Sequence, residues 1–287
     1  MSESRPLISV VIPTRDRPDL LRRTLNLLAP GVQELPASDY EVVVSDDARP
    51  LSAARALATA YPWVRFCEGP AKGPAANRNA GARAALGRWL VFTDDDTEPC
   101  ASWLSEFARA MRPGIDVYEG RTTCNGGFGS PLFHAPVNET GGRLWSCNFM
   151  VRAERFSSVG GFDEAFPYPH MEDQDLRVRL DEAGAKRVFV PGAVMNHPPR
   201  RQPGGARLGA YRESEVRFHV KHDGRPEPRR AFLARIVRYR LGVMRDTPKS
   251  VDTVAALWSL ARELAYVVRR VDGWERAAMQ SLRGRKP

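Results

Sequence analysis

Trp89-Leu90-Val91-Phe92-Thr93-Asp94-Asp95-Asp96-Thr97-Glu98-Pro99 is the stretch from which the fold is read. A short apolar run ends in three consecutive carboxylates, and a proline stops the element. Apolar runs bounded by turn signals read as buried strands. Like charges at a strand end repel one another, and a divalent cation removes that cost. If the strand continues, Asp94 and Asp96 point the same way and Asp95 the other, so the outer two can reach one ion. Hard oxygen ligands suit magnesium, manganese or calcium. A solvated acidic turn is the alternative.

Working outward, Leu7–Ile12, Tyr40–Ser45 and Val64–Cys67 read as earlier strands. Between them, the leucines from Leu20 to Leu28, the segment Ala53–Ala60 and the alanine-rich run behind Gly73-Pro74 read as helices, the first capped by Asp16 or Asp19. Strand and helix alternate, the signature of βαβ units in an α/β fold with a mostly parallel sheet. Ligands of such sheets sit beyond the carboxyl ends of the strands. Thr14-Arg15, Asp46-Asp47 and the Asp94–Asp96 triplet all fall at such ends, so three polar clusters are expected to converge on one crevice. No Gly-x-Gly-x-x-Gly fingerprint follows the first strand and no phosphate loop ends in Gly-Lys-Ser/Thr. A dinucleotide oxidoreductase or a P-loop kinase is therefore poorly supported, and a diphosphate held through a metal is the better expectation. Arg78, just inside a helix, is a phosphate or carboxylate contact or a surface arginine.

Farther on, Ser102–Met111 reads as a helix, residues 121–144 as a long loop, Cys147–Val151 as a strand, and Met171–Leu180 as a helix opening with acids. Glu172 and Asp173 there are either cap residues or chemistry. His197 joins Asp94 and Asp96 as a metal-ligand candidate; a structural histidine beside two prolines is the other reading. Trp145, Phe166, Tyr168 and His170 are available to stack on an acceptor.

The net charge of +9 is uneven: residues 1–199 hold 22 Lys/Arg against 25 Asp/Glu, residues 200–287 hold 21 against 9. The basicity belongs to the C-terminal part, where an anionic partner, a membrane surface or a solvated helical face can use it. Residues 200–209 read as a linker. Helices are expected over Tyr211–His222, Arg230–Val243 and Val251–Arg270, with a separate turn or two after Gly273. In the third, Val254, Leu257, Trp258, Ala261, Leu264 and Val268 form one apolar face, for packing or for an interfacial membrane contact. Neither a recognition fold nor base-stacking aromatics favours nucleic acid. Four cysteines lack metal-ligand spacing, the N-terminus is too polar for a signal peptide, and no apolar run approaches a membrane span. A cytoplasmic location, or one at the inner face of the membrane, is expected.

In order and spacing, five blocks resemble the nucleotide-sugar glycosyltransferases of family 2, with the GT-A fold. They are Val10–Arg15 with its leucine-rich helix; Glu41–Asp47; Arg78–Gly81 leading to Leu90–Asp96; Asn148–Arg152 followed by Val159–Glu164; and Glu172–Leu176 with Arg179, Gly184 and His197. The resemblance implies a GT-A catalytic domain over 1–199, with a nucleotide-sugar half at about 1–99 and an acceptor half at about 100–199, and a basic helical extension over 200–287. It implies an inverting, Mn2+- or Mg2+-dependent transfer from a nucleotide-diphosphate sugar, UDP-linked as first guess, to a glycan, lipid-linked or small-molecule hydroxyl. Pro13, Thr14, Arg15, Asp46, Asp47, Arg78, Asp94 and Asp95 would line the nucleotide sugar. Asp96, with Asp94 and His197, would hold the metal. Asp173 would be the general base, supported by Glu172. Trp145, Tyr168 and His170 would meet the acceptor. A nucleotide-sugar-binding scaffold and a nucleotidyltransferase remain the rivals. Departures from the commonest family pattern are Ala48-Arg49 after Asp46-Asp47, Thr93 before the aspartates, and Met171 before Glu172.

Overall fold

The computed structural model describes residues 5–49 and 53–284. They form two compact units. The first comprises the chain to Asn125, Pro136–Pro167 and Glu172–Pro198; the second comprises Gly126–Ala135, Tyr168–Met171 and the chain from Pro199.

In the first unit, β1 (Ile8–Thr14), α1 (Pro18–Leu27), β2 (Tyr40–Asp46), α2 (Ala53–Ala58), β3 (Val64–Glu68), α3 (Pro74–Ala84) and β4 (Trp89–Phe92) alternate as the periodicity predicts. Then follow β5 (Glu98–Pro99), α4 (Trp103–Ala110) and β6 (Val117–Thr123). The short β7 (Phe133–His134) belongs to the second unit; β8 (Phe149–Arg152), α5 (Ala153–Ser158), α6 (Glu172–Glu182) and β9 (Arg187–Asn196) complete the first. Eight strands make one mixed sheet in the order β3-β2-β1-β4-β8-β6-β9-β5. β3, β2, β1 and β4 run parallel, β8 is antiparallel to β4 and β6, and β6 and β9 run parallel.

All of β1 is buried, as a central parallel strand covered on both faces must be. Its side chains alternate: Val10 and Ile12 enter one core with Leu21, Leu25, Trp103 and Phe107, and Val11 enters another with Phe92, Phe149 and Leu176. The chain leaves β1 toward β2 and β3, then returns on the other side as β4. That reversal opens a crevice beyond Thr14 and Phe92.

The second unit holds β7, β10 (Arg200–Arg201), α7 (Gly205–Asp223), α8 (Arg229–Asp246) and α9 (Val251–Gly284). β7 and β10 pair antiparallel, so residues 200–209 are a strand and a helix start rather than a linker. α9 passes through Gly273 unbroken; a mid-helix glycine costs only about 1 kcal/mol, and Trp274 and Ala278 beyond it join the core. The buried face of α9 is Ala256, Leu260, Glu263, Val267, Val271 and Ala278. The expected apolar face points outward instead: Val254 and Trp258 are 69% and 68% exposed. Glu263, fully buried, decides this, because it takes Arg212 at 2.7 Å and faces Arg240. The first helix also differs from expectation. Arg17 stands at its N-cap with Pro18 behind it, and neither Asp16 nor Asp19 caps it; Asp19 instead sits in the first turn, where a negative charge suits the helix field.

Candidate active site

Asp94, Asp96 and His197 come together, with one ligand atom from each within 4.8 Å of the others. Two follow β4 and the third follows β9. The pairing of Glu98 with Asn196 draws these chain ends side by side. His197 is fully buried, and its Nδ1 lies 3.0 Å from the carbonyl oxygen of Pro198. A carbonyl only accepts, so Nδ1 donates to it, and Nε2 lies 3.5 Å from Asp96 Oδ1, the ring atom left to meet an ion. Among the described residues Nε2 has no hydrogen-bond partner. A buried imidazole so oriented beside two carboxylates suits Mn2+ or Mg2+. The residues present fit such an ion.

Asp95, the middle carboxylate, turns inward. It is fully buried, accepts from the Thr14 hydroxyl at 2.6 Å and pairs with Arg17 at 2.6 Å. Burial pushes its carboxyl up to about 7 although Arg17 opposes this. Through these two partners Asp95 holds the triplet to the end of β1. Arg17, which sequence reading passed over, also reaches Asp96 Oδ2 at 3.1 Å. Its place three residues after Thr14, in the turn facing the triplet, was the available signal.

Arg78 is buried between two acidic groups. One nitrogen donates to Asp94 at 2.7 Å and another to Glu172 at 3.0 Å, and its guanidinium lies 5.6 Å from the centre of the Phe162 ring. It is thus no surface arginine, and it joins the metal-ligand cluster to the start of α6. There Glu172 and Asp173 are both buried. Burial raises both carboxyls; Asp173 adds to the rise of Glu172, and Arg78 works against it in both. Asp173 accepts from the backbone N–H groups of Gln174 at 2.7 Å and Ser146 at 3.4 Å.

The nucleotide-side candidates sit at the ends of β1 and β2. Pro13 and Thr14 close β1, buried, and Arg15 is exposed beside Asp16. Asp46 accepts from Ala48 N at 3.0 Å. Asp47 accepts from Ala71 N at 2.9 Å and Gly73 N at 3.2 Å, holding the loop before α3. A Cβ on Gly69 would lie 2.2 Å from an Asp47 oxygen, so that glycine makes the approach feasible. Asn79 binds Phe162 N, Phe162 O and Glu164, tying α3 to the Gly160–Glu164 turn.

Of the acceptor candidates, Trp145 is half-buried and donates to Val137 O. Tyr168 and His170 belong to the second unit, where one packs on Tyr211 with ring centres 5.2 Å apart and the other bonds Glu215 at 2.7 Å. Glu119 was missed altogether. Buried on β6, it accepts from three successive backbone N–H groups, Gly142, Arg143 and Leu144, and so shapes the loop before Trp145.

Residues 9–148 match the model for glycosyl transferase family 2. The chain is 29% identical over 243 residues to the pre-mycofactocin glycosyltransferase of Mycobacterium tuberculosis, covering 77% of this chain and 49% of that protein. It is 39% identical over 145 residues to the N-acetylglucosaminyl-diphospho-decaprenol L-rhamnosyltransferase of the same organism, covering 49% and 47%. The chain thus spans about half the length of either relative. Among solved structures it resembles the mannosyltransferase PcManGT of Pyrobaculum calidifontis in complex with GDP-Man and Mn2+, at TM-score 0.55 and 19% identity over 94% of this chain and 76% of the other. The mixed sheet that reverses beside a carboxylate triplet has the GT-A fold, and residues 9–148 within it are a glycosyl transferase family 2 segment.

Proposed function

We propose that the protein transfers a sugar, with inversion, from a nucleotide-diphosphate sugar to an acceptor hydroxyl. The observation that carries this reading is the pairing of two acidic sites through one buried arginine: Asp94, Asp96 and His197 on one side, Glu172 and Asp173 on the other, with Arg78 between. Asp94, Asp96 and His197 would hold Mn2+ or Mg2+, and the bound ion supplies charge neutralisation for the departing nucleoside diphosphate. Asp47 and Asp46 shape the base and ribose side through the loops they hold. Asp173 takes the proton of the attacking hydroxyl. Two backbone N–H groups aim its carboxylate, and Arg78 beside Glu172 favours an ionised pair despite burial. Attack from the face opposite the diphosphate gives inversion in one displacement, with no sugar-enzyme intermediate.

The likeness to a structure holding GDP-Man and Mn2+ supports a nucleotide-sugar donor and a manganese ion. The relative whose name specifies a diphospho-decaprenol acceptor supports a lipid-linked one. Turnover of UDP-, GDP- and dTDP-sugars with Mn2+ tests the reading in the native chain, Asp96→Ala and Asp173→Asn. Donor binding without turnover in any combination would favour the scaffold alternative. Consumption of a nucleoside triphosphate with a sugar phosphate would favour nucleotidyl transfer.

A further inference from the structure

The second unit turns an apolar helix face to solvent. Val251, Val254, Trp258, Ala261 and Ala265 recur on α9 at spacings of three and four, so they share one side of the helix. All five are exposed, Val251 at 85%. They lie opposite Ala256, Leu260, Glu263 and Val267, which pack inward. Exposed apolar residues are ordinary singly, but a continuous stripe with a tryptophan at its middle marks an interaction surface.

Charge identifies the occupant. Arg262, Arg269 and Arg276 are exposed and follow at seven-residue intervals, close to two helical turns, so they continue the same side. The turn leading into α9 adds exposed Lys249. The exposed carboxylates near them, Asp246 and Asp272, are paired with Arg245 and Arg229. A second copy docked by a two-fold axis would set the arginine-bearing face against itself. Nucleic acid would use the arginines but leave valine and tryptophan without reward. An anionic bilayer uses both: tryptophan sits at the headgroup boundary, and the arginines meet lipid phosphates while their stems cover apolar surface. No helix among the described residues is long and apolar enough to cross a membrane, so the contact is one of lying on the surface.

We propose that the outward face of α9 docks on an anionic lipid surface, with Trp258 as the apolar anchor and Arg262 and Arg269 as headgroup contacts. The proposal is independent of catalysis. Its consequence, that the chain meets lipid-borne acceptors, rests on the transferase reading.

The test is co-sedimentation of the full chain with phosphatidylcholine vesicles, with and without phosphatidylglycerol. Binding is expected only with phosphatidylglycerol and should weaken as salt rises. Trp258→Glu and the pair Arg262→Glu with Arg269→Glu should each weaken it about tenfold or more. Trp258→Phe should still bind but lose most of the vesicle-induced blue shift of tryptophan emission. These side chains are exposed, so unchanged melting temperatures verify folding. No binding to anionic vesicles, equal binding to neutral ones, or indifference to the Trp258 and arginine variants overturns the proposal. So does a dimer in sedimentation equilibrium that Trp258→Glu dissociates without any vesicle binding. Sugar-nucleotide turnover is measured separately, so failure here leaves the transferase reading intact, and the reverse also holds.

Discussion

Asp96 and Asp95 are neighbours in sequence with opposite surroundings. Asp96 faces His197 Nε2; Asp95 is enclosed by Thr14 and Arg17. Asp96→Ala should therefore abolish Mn2+-dependent turnover, with a loss of about a hundredfold or more, and Mn2+ titration followed by electron paramagnetic resonance should show the site lost. The Glu172–Asp173 pair governs pH. Burial raises both carboxyls, and the neighbouring Asp173 charge raises Glu172 further. A base must be ionised, so kcat/KM should climb with pH through a limb above the ordinary carboxylate range. Glu172, pushed up to about 8, is still protonated when Asp173 ionises, so Glu172→Gln should leave that limb nearly in place, as read from kcat/KM profiles at saturating Mn2+. A limb that disappears in Glu172→Gln would assign the titration to Glu172 and remove Asp173 from the role of base. Gly161 is a backbone case. Its φ is +67°, and an added Cβ would lie 2.7 Å from Asn79 Oδ1. Gly161→Ala should cost about 1–3 kcal/mol, measurable by denaturant unfolding. The Asp-x-Asp spacing and the Glu-Asp pair were legible from sequence. The roles of Arg17 and Arg78 were less so, because an arginine's partner can lie anywhere in the chain: Arg78 and Glu172 are 94 residues apart.

At the scale of elements, strand runs such as Ile8–Thr14 announce themselves, since a parallel strand buried on both faces must be apolar throughout. Helix α9 shows the opposite situation. It carries valine, leucine or tryptophan on several sides, and hydrophobic periodicity cannot say which side meets protein. Beside the buried Glu263, α7 favours the observed face, because Gly205 and Gly209 admit close approach. A Cβ at Gly205 would lie 2.0 Å from the Ser259 carbonyl oxygen, and one at Gly209 2.9 Å from Tyr266 Cβ. Gly209→Val should therefore destabilise the helical unit by about 1–3 kcal/mol. Leu260→Ala should cost about 2–3 kcal/mol, whereas Leu257→Ala, on a half-exposed side chain, should change stability by less than about 0.5 kcal/mol. Chemical denaturation of the two leucine variants separates the observed buried face from the one periodicity suggested.

Across the whole molecule, the two units have separate apolar cores, one set around the sheet and one among α7, α8 and α9. Scanning calorimetry should resolve two transitions. Ile236→Ala, in the helical core, should lower one of them by an amount matching about 2–5 kcal/mol. A nucleotide sugar with Mn2+ should raise the other, since a ligand stabilises what it binds. A single transition shifted by both would show that the units unfold together.

The order of apolar runs and turns was enough by itself to determine the alternating strands and helices, the parallel half of the sheet and the presence of acids at strand ends, because burial in a parallel sheet and helical periodicity are local patterns. Tertiary structure alone decided that Asp95 is buried against Thr14 and Arg17. It also decided that Arg78 joins two acidic sites, and that α9 turns Trp258 outward. Each of these depends on partners brought together from distant parts of the chain, where geometry and charge pairing select among side chains that look alike in sequence.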